Sequence, residues 1–81
     1  MEKNNHNDVV RRISKDIICE LIIERKKQGI TQQKIAERTG MKTSNVTRIE
    51  SCKNIPTMDV LIRYAQALGK SIHIELKEEE R

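Results

Sequence analysis

Residues 31–51 read TQQKIAERTGMKTSNVTRIES, two short stretches with helical periodicity on either side of a glycine. Thr31 is placed to cap the first, because a threonine oxygen can accept from one of the backbone N–H groups that a helix leaves unpaired at its N-terminus. Ile35 and Ala36 then turn inward, and Gly40, free to take positive φ, stops the helix after about two turns. In the second stretch Val46 and Ile49 turn inward, which leaves Thr43, Ser44, Thr47 and Arg48 open to solvent or a partner. Ala36 is small where two crossing helices approach most closely, and Val46 and Ile49 fill the angle between them.

Outward from this pair, the N-terminal side is helical as well. Val10, Ile13, Ile17 and Leu21, with Ile18 and Ile22 beside them, recur at helical spacing and predict a helix over about residues 9–28. Asp8 is its expected cap, Ser14 a point where it can break, and Gly29 its end. Residues 1–8 read as a mobile polar arm. Downstream, Pro56 interrupts and Thr57 caps a further helix whose stripe is Met58, Leu61, Ile62, Ala65 and Leu68, closed by Gly69. A single domain over residues 9–70 follows.

The period then changes. In SIHIELK, residues 71–77, the apolar Ile72, Ile74 and Leu76 alternate with His73, Glu75 and Lys77, which predicts a β-strand with one apolar face. A lone strand needs a ladder partner, and the cheapest is the same strand in a second copy across a two-fold axis. Ile72, Ile74 and Leu76 are on this reading the dimerisation residues. A helix running on through the segment, or a frayed tail, is the alternative. Residues 78–81 are a charged tail.

Composition narrows the function classes. A chain of 81 residues buries only about 60% of the surface its unfolded form exposes, too little to enclose a deep active site. With no Trp, no Phe and one Tyr, it offers no aromatic platforms on which single-stranded nucleic acid could stack. The net charge of +4 is concentrated in residues 31–54, where five basic side chains face two acidic ones. Such an excess suits a phosphate-facing surface, or simply a solvated one.

Two cysteines and two histidines without a CxxC pair or a spaced cluster predict no metal site. No apolar run reaches the ~18–20 residues that span a bilayer, and no leader is evident, so the expected setting is the reducing cytoplasm with both thiols free and no membrane partner. No nucleophile lies beside a base and there is no glycine-rich phosphate loop, so neither an enzyme nor a cofactor is expected.

Taken together, residues 32–51 have the pattern of a helix-turn-helix, in which the second helix enters the DNA major groove. The stretch GITQQKIAERTGMKTSNVTRIESCKNIPTMDVLIRYAQALG resembles the Xre-type helix-turn-helix domain of the lambda repressor and Cro superfamily, with the likeness running from about Ile17 to Gly69. Thr-Gln, Ala, Gly, Arg-Ile-Glu and the terminal Ala-Leu-Gly carry it in combination. The resemblance implies a compact all-α bundle of about five helices that binds double-stranded operator DNA as a homodimer.

It also implies roles. Gln32 would contact a phosphate at a helix N-terminus, where free N–H groups favour anions. Thr43, Ser44 and Arg48 would read bases, with Thr47 beside them, and Arg48 could donate two parallel bonds to guanine. Lys42, Lys53 and Asn54 would hold phosphates, solvated charge being the plainer reading of the two lysines. Arg25 and Glu50 would form a partly buried ion pair that fixes the recognition helix.

Two residues depart from the family pattern. Ser51-Cys52 stands where many relatives have Asn-Gly, so that turn is expected to differ in backbone shape, and Thr39 replaces a more apolar residue. Two functions follow from the resemblance: a transcriptional repressor on a palindromic operator or, because a strand such as SIHIEL after such a domain is similar to HigA-like antitoxins, an antitoxin that binds a toxin protein and represses its own operon.

Overall fold

The computed structural model describes residues 6–79, in which four helices follow one another: α1 (His6–Lys27), α2 (Gln32–Thr39), α3 (Thr43–Glu50) and α4 (Met58–Ala67). α2 packs on α3 and α4, and α1 lies across α3 and α4. Each helix supplies one apolar stripe to a common core: Ile18 and Leu21, then Ile35 and Ala36, then Val46, then Leu61, Tyr64, Ala65 and Ala67, closed by Leu68. Full burial of a side chain such as Ile35 or Val46, both without solvent exposure, is worth about 1.5–3 kcal/mol.

The boundaries follow from local chemistry. Thr31 accepts from the Lys34 N–H at 3.1 Å and Thr57 from the Val60 N–H at 3.2 Å, so both expected caps are made. α1, whose last helical residue is Lys27, is closed off by Gly29, φ +71°, where the Ile30 N–H reaches back to the Arg25 carbonyl and the Gly29 N–H to the Lys26 carbonyl. These two bonds satisfy carbonyls that the helix end would otherwise orphan. Thr39, the unusual polar residue, stitches the turn after α2: its hydroxyl donates to the Ile35 carbonyl at 2.7 Å and accepts from the Met41 N–H at 3.3 Å.

Four expectations are corrected. The chain is already helical at His6, so residues 6–8 are not arm and Asp8 lies within the first turn, where its charge suits the helix dipole, rather than capping; residues 1–5 fall outside the described part. α1 runs unbroken through Ser14, because the apolar repeat continues in register and a serine costs a helix interior little. The described residues therefore form four helices and not five.

The fourth correction concerns the tail: residues 70–79 form neither a strand nor a helix, since a strand exists only with a ladder partner and a single chain supplies none. Nor are its three apolar residues buried alike. Ile72 packs half-buried against the molecule's own core, whereas Ile74 is 62% and Leu76 99% exposed.

The tail and α4 are tied down by side chains that the periodicity did not single out. Arg38 Nη1 donates to the Ala67 carbonyl at 2.8 Å and Gln28 Nε2 to the Leu68 carbonyl at 2.9 Å. Ile72 and Ile74 then line one groove with Ile17 and Leu21 of α1. No helix among the described residues is long and apolar enough to cross a membrane.

Candidate nucleic-acid interface

α3 has one face committed to the protein and one that is not. Val46 is fully buried and Ile49 half-buried against the core, while Thr43, Ser44, Thr47 and Arg48 all lie exposed on the opposite side, as their spacing required. Lys42 immediately precedes the helix, and Lys53 and Asn54 follow it in the link to α4, all three exposed. Among the described residues Lys42, Arg48 and Lys53 have no acidic partner, so their charge is available to an anion.

The inner end of α3 is held by Glu50. Its Oε2 accepts from Arg25 Nε at 2.9 Å and from the Tyr64 hydroxyl, and its Oε1 accepts from Arg25 Nη2 at 3.1 Å and Gln32 Nε2 at 2.9 Å. Arg25 spends its remaining arm on the Ile30 carbonyl at 2.8 Å. With side-chain exposures of 11% and 8%, the expected ion pair is present and largely desolvated.

Burial alone would raise the Glu50 carboxyl, but hydrogen bonds from Tyr64, Gln32 and Arg25, with the arginine charge, outweigh it and hold the carboxyl below its ordinary value. For Tyr64 burial and the neighbouring carboxylate act together and push the phenol well above its ordinary value. The cluster is therefore an ionised carboxylate ringed by donors. It joins α1, α2, α3 and α4 at one point.

Gln32 stands at the N-terminus of α2, where the resemblance put it, and its side chain has partners within the protein as well. Its carboxamide bridges α2 to α3, donating to Glu50 and accepting from the Thr47 hydroxyl at 2.9 Å. One amide N–H remains for a phosphate. Neither the bridge nor Tyr64 was visible from residue spacing, although a lone aromatic on a buried stripe signals that its hydroxyl needs a partner inside.

Cys52 follows α3 in the link to α4. It sits at φ +62°, the left-handed conformation that a glycine would take without strain and to which a residue with a Cβ is ill suited. Its side chain is half-buried against the core. A cavity of about 200 Å³ lies between α3 and this link, bordered by Asn45, Arg48, Asn54 and Ile55. Among the described residues no group of His, Cys, Asp or Glu is gathered to hold a metal.

A family model described as helix-turn-helix matches residues 21–74. Over 58 residues the chain is 33% identical to an uncharacterized HTH-type transcriptional regulator of Haemophilus influenzae, covering 72% of this chain and 59% of that protein. It is 37% identical over 51 residues to another from Methanothermobacter thermautotrophicus (63% and 72%) and 36% over 52 residues to one from Sinorhizobium fredii (64% and 66%). The chain thus spans less than two thirds of the Haemophilus protein. No solved structure matches it.

Proposed function

The chain belongs to the helix-turn-helix family, and from that premise we propose that it is a DNA-binding transcriptional regulator, a repressor that reads a palindromic operator as a homodimer. The observation that carries the reading is the division of α3. Its inner face is fixed by Val46 and the four-donor Glu50 cluster, while Thr43, Ser44, Thr47 and unpaired Arg48 stand outward together.

A rigid helix presenting polar groups is what the major groove accepts, since phosphate contacts set its register and base edges supply sequence. Arg48 would donate bidentately to a guanine, Thr43 and Ser44 would read neighbouring bases, and Lys42, Lys53, Asn54 and the spare N–H of Gln32 would hold phosphates. All three curated relatives carry names of transcriptional regulators.

Exposed Ile74 and Leu76 support the homodimer, as two large apolar side chains in one short segment call for a covering surface. If that surface were a different chain, the second reading applies, an antitoxin whose tail engages a toxin; co-purification of a product encoded beside its gene separates the two.

Selection from random double-stranded DNA at about 150 mM salt tests the proposal. The expected product is two inverted half-sites about 34–36 Å apart. Recovery of unenriched sequence would overturn it.

A further inference from the structure

The donors around Glu50 constrain a proton three residues away. An ionised carboxylate can only accept, so the end of the Gln32 carboxamide 2.9 Å from Glu50 Oε1 has to be the nitrogen. The oxygen end then points at Thr47, 2.9 Å from its hydroxyl. A carbonyl oxygen cannot donate; the Thr47 hydroxyl must therefore spend its single proton on Gln32. The orientation of the amide is settled by the carboxylate and does not rest on telling nitrogen from oxygen.

What remains on the outer side of Thr47 is lone pairs alone. Thr43 and Ser44 contrast with it: among the described residues neither hydroxyl has a hydrogen-bond partner, so each rotates to donate or accept as a base requires. Thr47 is exposed beside them, one helical turn after Thr43 and adjacent to Arg48.

In the major groove adenine N6 and cytosine N4 present donors, whereas guanine O6 and N7 and thymine O4 present acceptors. We infer that Gln32 is a positioning residue that fixes Thr47 as an acceptor, so that Thr47 selects a base presenting an amino group in the major groove, adenine or cytosine. This rests on the DNA-reading function proposed above and deepens it to a rule for one base.

Selection from random DNA with the wild-type chain, Thr47→Val and Gln32→Ala decides it. Thermal melting confirms that the variants fold. Thr47→Val is expected to relax one position, at which the wild type takes adenine or cytosine about fivefold over guanine or thymine, the worth of one neutral hydrogen bond. Gln32→Ala, which frees the hydroxyl to donate and also gives up the phosphate contact, is expected to weaken binding to every sequence alike and, at that same position only, to admit guanine and thymine. A merely structural or phosphate-holding role for Gln32 would weaken all sequences alike and leave the preference at that position intact.

Should Gln32→Ala not fold, wild-type protein on a selected operator whose base at that position lacks the amino group decides instead. An about fivefold loss supports the inference, and unchanged binding overturns it. A wild-type preference for guanine or thymine there, or no position relaxed by Thr47→Val, overturns the rule alone. Absence of any enriched motif for the wild type overturns the DNA reading beneath it.

Discussion

Arg25 and Glu50, 25 residues apart, meet through two parallel bonds of 2.9 and 3.1 Å and so join the end of the first helix to the end of the third. The contact fixes the position of α3 more than it strengthens a core, because two charges leaving water give back most of what their attraction gains. Breaking one side is another matter.

Arg25→Ala leaves the Glu50 carboxylate desolvated with only Tyr64 and Gln32 as donors. The expected loss is ~3–5 kcal/mol of folding stability, read as a lower urea midpoint at unchanged slope. Arg25→Lys should recover only part of it, since an ammonium cannot supply two parallel bonds in the guanidinium geometry.

The same cluster sets both edges of the stability profile with pH. Glu50 titrates below its ordinary 4.5 in the folded state, so its contribution is complete above that value and is lost as pH falls through the folded pKa. Tyr64 titrates above its ordinary 10.0, so its contribution is complete below 10 and is lost at still higher pH. Urea midpoints measured across pH should fall at both ends, and Tyr64→Phe should remove the alkaline fall while leaving an acid one.

Much of this architecture was legible in the sequence wherever the determining chemistry is local. Thr31, Gly40 and Thr57 mark helix ends through bonds to residues three or four positions away, and the structure places them there. The outward face of α3 was equally plain from the inward Val46 and Ile49. Periodicity gives a face but not a depth, which is why Ile13, Met58 and Ile62 lie on expected stripes and yet are 50, 46 and 39% exposed. The tail was misread because alternation describes a strand only once a partner exists. The Gln32 bridge was invisible because its partners lie 15 and 18 residues away across a turn.

Cys52 offers a test of backbone strain separated from packing. Cys52→Gly and Cys52→Ala both delete the thiol, but only glycine occupies φ +62° without a clash between Cβ and the backbone. After allowance for glycine's greater freedom when unfolded, the glycine variant should be more stable than the alanine variant by roughly 0.5–1 kcal/mol. Equal urea midpoints would show that the turn relaxes away from this conformation.

The homodimer can be tested without disturbing the fold. Ile74 and Leu76 lie mostly exposed in a segment that has already delivered Ile72 to the core, so Ile74→Glu with Leu76→Glu should leave the helical content of each chain nearly unchanged. Sedimentation equilibrium should show the dimer weakened by at least about 100-fold, since four side chains, two in each copy, lose a burial worth up to about 1.5–3 kcal/mol apiece. A dimer of unchanged affinity would move the interface elsewhere, most plainly to exposed Met58 and Ile62 on α4.

Lys53 and Arg48 should separate under salt. Lys53 is exposed, follows the turn at Cys52 and has no acidic partner among the described residues, and the role proposed for it is that of a charge near a phosphate. Each phosphate neutralised releases condensed counterions, and the slope of log affinity against log salt falls by about 0.9 when one contact is removed. Lys53→Ala should therefore shallow the slope by about that amount and weaken specific and random DNA alike, with the selected motif intact. Arg48→Ala should instead cost ~1–3 kcal/mol, mostly at one base position. Titrations on specific and random duplexes at several salt concentrations distinguish the two, and a Lys53→Ala loss confined to specific DNA would assign that lysine to a base.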